Sequence, residues 1–172
     1  MEDTKEQARP ARVTQAGDVL VFIVGGVRCA LPLADVREVT RAVAITALPT
    51  APPIVEGVIE VRGRVVPVLD LRGRLGLPPT PVRPDQKLII ADGGERRAAI
   101  RVDAVDWVTH LDEDDIAAPE GVVRGIGFLA GVGRLADGLV LVHDLATFLE
   151  QGEAEALSAA LDAYLDPEAV EP

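Results

Sequence analysis

Glycine and proline cut this chain into short apolar runs, and that punctuation restricts it to a fold made of short strands. Val19–Val24, Val27–Leu31, Val36–Arg41, Gly57–Arg62 and Val65–Leu69 have strand length and β-branched content, with turns at Gly25-Gly26 and Gly63-Arg64. A proline-rich connection follows, Leu77-Pro78-Pro79-Thr80-Pro81-Val82-Arg83-Pro84, whose prolines remove the donors that a helix interior or a central strand needs. The strands resume at Lys87–Ala91, Arg97–Val102, Asp106–Leu111, Gly131–Leu135 and Leu139–Val142.

The resumption repeats the first half. Leu20-Val21-Phe22 falls on Leu88-Ile89-Ile90 and Gly25-Gly26 on Gly93-Gly94; after one insertion Leu33, Val36, Val39 and Thr40 fall on Val102, Val105, Val108 and Thr109. Gly57-Val58, Val65-Val66, Asp70-Leu71 and Leu75 fall on Gly131-Val132, Leu139-Val140, Asp144-Leu145 and Leu149. The pattern predicts two similar β-barrels of about five strands each. Asp70 and Asp144 follow strands and precede short helical stretches, Leu71–Leu75 and Leu145–Glu150, which makes both N-caps rather than catalytic acids. Arg62-Gly63-Arg64 falls instead on Ala136-Asp137-Gly138. The barrel does not need that arginine to fold, so Arg62 is a candidate binding residue.

Composition then removes most chemistry. The chain has 172 residues and a formal charge of −11, which disfavours binding to a phosphate backbone. It contains no asparagine, one serine (Ser158), one cysteine (Cys29), two lysines and two histidines (His110, His143). Ser158 sits in an Ala/Leu/Glu-rich helical pattern rather than on a nucleophile's turn, and Cys29 sits in an apolar strand as a buried thiol, suited to a reducing compartment. Neither histidine has a partner at metal-ligand spacing. Asp112-Glu113-Asp114-Asp115 begins like a calcium loop, but Ala117 stands where glycine is required and Val123 where glutamate is. Gly125-Ile126-Gly127-Phe128-Leu129-Ala130 matches a dinucleotide fingerprint with too little chain after it for a second nucleotide-binding half. No metal, cofactor or enzyme activity is expected. Two weaker alternatives are a hydrolase around Asp112–Asp115 and a ligand-binding barrel using the arginines at 62, 64, 72 and 74.

The N-terminus lacks the basic and apolar regions of a signal peptide, and no run is long enough to span a bilayer, so a cytoplasmic protein without membrane insertion is expected. Residues 1–17 are unpatterned and expected to be disordered; the first barrel is expected over roughly 18–76, the connection over 77–86 and the second barrel over 87–150. In the tail, 151–172, the residues Leu157, Ala160, Leu161, Tyr164 and Leu165 lie at helical spacing, a stripe expected to dock on the chain's own barrels.

From Gly57 to Arg72 the sequence reads Gly-Val-Ile-Glu-Val-Arg-Gly-Arg-Val-Val-Pro-Val-Leu-Asp-Leu-Arg. This resembles the signature of the CheW family of chemotaxis coupling proteins, a Gly-Val-x-Asn-Leu-Arg-Gly hairpin running into a Pro-Val-x-Asp-Leu-Arg corner. The likeness extends from about Asp18 to Glu150 and is to the free-standing adaptors, since no chain is left for a kinase or receiver domain. It implies a mainly β fold of two SH3-like five-stranded barrels with short helices and a C-terminal helix. It further implies an adaptor between the regulatory domain of a CheA-type histidine kinase and the cytoplasmic tip of methyl-accepting chemotaxis receptors, recruited to membrane-associated arrays. By position it carries over Val36, Glu38, Val39, Glu56, Gly57, Val58, Arg62 and Gly63 as partner-binding residues, with an apolar groove between the barrels to accept a helical hairpin. Glu60 stands where the signature has asparagine, placing a carboxylate beside Arg62. That departure suggests adapted partners, and with it an alternative role in a non-swimming chemosensory pathway serving surface motility or development.

Overall fold

The structure, a computed structural model, describes residues 16–94, 96–118 and 129–166. The segment expected to be disordered falls outside these residues up to position 15, as does Gly125–Phe128 of the glycine-rich stretch.

Strand β1 (Gly17–Val24) and β2 (Val27–Pro32) form a hairpin, as do β6 (Lys87–Gly93) and β7 (Arg96–Val102). The first closes over Gly25 and Gly26 after the pair Val24↔Val27, and the last pair of the second is Gly93↔Arg96. The two hairpins therefore correspond one residue further along than the matched Gly-Gly pairs suggested. Val19, Val21 and Ala30 fill one small core where Leu88, Ile90 and Ala99 fill the other. A slip of one residue exchanges the faces of a strand, so burial decides the register more sharply than matched glycines do.

The remaining strands are β3 (Val36–Arg41), β4 (Val55–Val61), β5 (Arg64–Leu69), β8 (Ala104–Leu111), the two-residue β9 (Ile116–Ala117), β10 (Leu129–Leu135) and β11 (Gly138–His143). They assemble into a five-stranded sheet, β3-β6-β7-β5-β4, and a six-stranded one, β8-β1-β2-β11-β10-β9. Without β9 the two orders are the same repeat. Each has one parallel contact, Val68↔Ala99 and Leu69↔Ile100 in the first sheet, Leu141↔Cys29 and Val142↔Ala30 in the second.

This order corrects the boundaries expected for the barrels. They are not consecutive halves: β1–β2 belongs with β8–β11, and β6–β7 belongs with β3–β5. The cause is local. β2 enters β3 through a single 3-10 turn, Leu33–Asp35, and β7 enters β8 through Asp103 alone, so each hairpin's outgoing strand crosses to the opposite sheet. The exchange puts both faces of β1 inside, Val19 and Val21 in the second barrel and Leu20, Phe22 and Val24 in a layer shared by both sheets. That explains why β1 reads as a continuous apolar run rather than an alternating one.

The shared layer is the main core and includes Phe22, Leu31, Leu69, Leu71, Ile89, Ile100, Leu129 and Phe148. Helix α2 (Gln151–Leu165) closes it with Leu157 and Ala160, both buried, while Tyr164 and Leu165 at its far end stay exposed. The tail helix thus docks on its own chain. Its first turn is fixed by the Glu150 N–H donating to Glu153 Oε1 at 3.0 Å. Asp70 caps α1 (Leu71–Arg74) by accepting from the Arg72 N–H at 2.9 Å, and Asp144 accepts from the Ala146 N–H at 3.0 Å. Both caps are as expected, although the second stretch is a 3-10 turn, Leu145–Thr147, and not a helix to Glu150.

Cys29 lies in the shared layer, fully buried, and burial pushes its thiol up to about 12. Iodoacetamide at mildly alkaline pH is expected to leave the native chain unmodified and to alkylate it only as denaturant unfolds it. Equal rates in the native and unfolded states would contradict this placement.

Candidate partner-binding surface

Of the residues singled out by sequence, Glu38, Val39, Glu60, Arg62 and Gly63 reach solvent on the first barrel. The β4–β5 turn has two successive residues at positive φ, Arg62 at 50° and Gly63 at 79°, the mark of a tight hairpin turn matched to strand twist. For Gly63 this is free of strain; for Arg62 it costs roughly 1–2 kcal/mol. The equivalent turn of the second barrel, Ala136-Asp137, shows no positive φ, so the hairpin can be built without that strain. The Arg62 side chain is 85% exposed and pairs with Glu38, whose Oε2 lies 3.3 Å from Nη2. A strained arginine held out into water, on β4–β5 beside the exposed Val39 of β3, is what a partner-facing residue looks like.

Four expected surface residues are taken up wholly or partly by the interior instead. Val58 is in the shared core, and a Cβ at Gly57 would lie 2.1 Å from the Thr46 carbonyl oxygen, because Thr46 pairs with Val58 across it. Glu56 is occupied by Arg101, whose Nε donates to Oε1 at 3.1 Å and to Oε2 at 2.9 Å. Val36 is half-buried against the shared core. The apolar groove expected between the barrels is filled by that same core. A shallower cleft of about 480 Å³ remains beside it, floored by Val19, Pro32, Leu33, Ala34 and Ala130 and rimmed by Asp18, Asp35 and Asp144.

Sequence reading missed the polar network behind the surface. Arg101, 3% exposed, also donates to Gln86 Oε1 at 2.9 Å, Pro81 O at 3.1 Å and Thr80 O at 2.8 Å. Gln86 Nε2 donates to Asp103 Oδ1 at 3.0 Å, and Asp103 also accepts from Arg72 Nη2 at 2.8 Å and the Gly25 N–H at 2.6 Å. Burial alone would raise the Asp103 carboxyl, but the donors from Gly25, Gln86 and Arg72 outweigh it and hold it below its ordinary value. The network straps the proline-rich connection to both barrels. An arginine inside the apolar run Ala98-Ala99-Ile100-Arg101-Val102 was the available signal.

A CheW-like domain matches residues 18–153. The chain belongs to the CheW-like family. Chemotaxis protein CheW of Bacillus subtilis (strain 168) is 33% identical over 115 residues, covering 66% of this chain and 74% of the relative. Protein FrzA of Myxococcus xanthus is 34% identical over 113 residues, covering 66% and 68%. The crystal structure of scaffolding protein TtCheW from Thermoanaerobacter tengcongensis superposes with a TM-score of 0.73 at 30% identity, covering 81% of this chain and 96% of that one. The CheW-like fold of two small β-barrels accounts for the paired sheets, and the solved neighbour of that fold is described as a scaffolding protein. No helix among the described residues is long and apolar enough to cross a membrane.

Proposed function

We propose that the chain is a non-enzymatic adaptor that joins the regulatory domain of a CheA-type histidine kinase to the cytoplasmic tip of methyl-accepting chemotaxis receptors. It works in the cytoplasm, recruited to membrane-associated arrays. The observation that carries this reading is the asymmetry between the two equivalent hairpins. The first holds an exposed arginine in a strained conformation that the second does without. An arginine so placed can give a partner a charge-assisted or bidentate bond, with Val39, Gly63 and Glu60 supplying close apolar and polar contact around it. The surface that remains for partners is Glu38, Val39, Glu60, Arg62 and Gly63, trimmed of Val36, Glu56, Gly57 and Val58. Coupling then follows if the clamped receptor is bound differently in the kinase-on and kinase-off states.

Arg62→Ala is expected to weaken binding of the cognate kinase's regulatory domain at least about tenfold while leaving the denaturant midpoint unchanged. Calorimetric titration reads the first and an unfolding curve the second. Undiminished binding, or no binding by the parent chain to any cognate kinase, would defeat the proposal.

A second reading, the same scaffold in a non-swimming chemosensory pathway, draws on Glu60 replacing the signature asparagine and on the match to FrzA, whose 34% identity stands beside 33% for a chemotaxis CheW. Co-purified partners that include no swimming-array component would favour it.

A further inference from the structure

The internal repeat supplies its own comparison for the end of each sheet. In both sheets the parallel ladder holds just two residue pairs, so the strands splay apart beyond it. In the second barrel this split separates Val27–Arg28 of β2 from Gly138–Val140 of β11, and it is closed from within. Arg28 Nη1 lies 2.7 Å from Asp137 Oδ1, and the Arg28 guanidinium carbon lies over the Trp107 ring, 5.7 Å from its centre.

In the first barrel the split separates Arg64–Pro67 of β5 from Arg96–Ala98 of β7, each paired on one side only. Arg97 stands at the position of Arg28, and Gly63 at that of Asp137. The arginine is kept, the turn carboxylate is gone, and Asp92 of β6 pairs with Arg97 in its stead. The result is an open cleft of about 520 Å³ lined by Arg64, Arg96, Arg97, Asp92 and an aliphatic wall of Val65, Pro67 and Leu161. Asp92 is already held between Arg97 Nε at 2.8 Å and Arg37 Nε at 2.6 Å, and the hydrogen bond from Arg97, then that from Arg37, keeps its carboxyl below the ordinary value. Arg96 Nη2 donates to Ser158 Oγ, and neither Arg96 nor Arg64 is in an ion pair among the described residues. This basic cleft sits on a chain whose formal charge is −11.

We infer that the split end of the first barrel takes an acidic, extended segment of a partner polypeptide, whose carboxylate occupies the place that Asp137 fills in the second barrel. The unpaired edges of β5 and β7 suit an extended main chain. The planar guanidinium forks suit carboxylates. A nucleic acid fits poorly, because the net charge repels a long polyanion and the cleft offers no aromatic ring for a base. The inference rests on the adaptor reading only for which protein supplies the segment.

The test uses the ¹⁵N-labelled full chain and three probes: an acetylated, amidated Glu-Val-Glu-Val-Glu peptide, its glutamine counterpart, and an oligothymidylate of equal charge. The glutamate peptide is expected to shift the amides at 62–66, 94 and 96–98, with affinity falling as salt rises. Arg64→Glu with Arg97→Glu is expected to weaken it at least about tenfold, and Arg134→Glu, on the second barrel, to leave it unchanged. Gly63→Asp restores the missing carboxylate at a position where a Cβ meets nothing within 4 Å; the positive φ of 79° strains it and the asparagine variant alike, so the two differ in charge alone. It is expected to reduce binding about as much, while Gly63→Asn, of the same shape without the charge, is not. Absent or misplaced shifts, equal binding of the glutamine peptide or the oligothymidylate, or equal losses from the aspartate and asparagine variants would each overturn the inference. The two readings fail separately. A chain that binds the kinase but not the peptide loses this inference, and one that binds the peptide at the split but no kinase loses the adaptor.

Discussion

Replacing Arg101 with alanine is expected to cost the protein about 3–5 kcal/mol, the largest effect of any single substitution argued for this chain. The reason is what it leaves behind. Glu56 would keep a carboxylate with only 18% of its side chain exposed and its charge partner gone, Gln86 Oε1 would lose one of its two donors and keep the Arg83 N–H, and the Thr80 and Pro81 carbonyls would lose theirs. Lysine cannot substitute, since one ammonium cannot reach a carboxylate, an amide and two carbonyls lying in different directions. Pairing Arg101→Met with Glu56→Gln is expected to recover a large part of the loss, because removing both charges avoids burying one alone. Denaturant midpoints at constant slope measure each variant, and protease sensitivity between residues 77 and 86 reports release of the strap. A loss below about 1 kcal/mol for Arg101→Ala would mean that the network is an incidental contact.

That network also shows why the sequence was readable in some respects and not in others. Strand existence, the two caps at Asp70 and Asp144 and the docking stripe of α2 depend on neighbours a few residues away, and all three are visible in local pattern. Which sheet a hairpin joins depends on the path of the chain after it. Leu20-Val21-Phe22 is as good a strand in either barrel, so the exchange of β1–β2 and β6–β7 left no mark beyond an unbroken apolar run. Glu56 was misplaced for a related reason. Resemblance transfers positions rather than exposures, and its burial is set by Arg101, on a strand of the other hairpin. Arg62 was legible because the comparison was internal: one copy of the repeat showed what the hairpin needs in order to fold, and the other showed what had been added.

His143 is expected to make the protein lose stability on acidification well before its carboxylates titrate. The imidazole is fully buried, with Phe22 at 6.3 Å and Phe148 at 6.4 Å between ring centres, and desolvation by burial pushes it down to about 3. In the unfolded chain the same ring takes a proton near its ordinary 6.5. Between those values the unfolded state binds a proton that the folded state refuses, so stability falls as pH falls through 6.5 and levels off only near 3. The slope is about 1.4 kcal/mol per pH unit, or about 2 kcal/mol lost between neutrality and pH 5. His110 acts with the opposite sign: its hydrogen bond to Asp18, helped by Asp112, raises it, so its contribution is complete below 6.5 and fades as pH rises. Asp92 and Asp103, both lowered, enter only as pH approaches their ordinary 3.8. Urea midpoints from about pH 7.5 to about pH 4.5 are therefore expected to decline steeply in the parent chain and in His110→Ala, and to be nearly flat in His143→Leu, whatever the absolute stability of that variant. An equal decline in His143→Leu would move the acid sensitivity elsewhere. A ¹³C-edited titration that shows the His143 ring protonating near neutral pH would remove its cause.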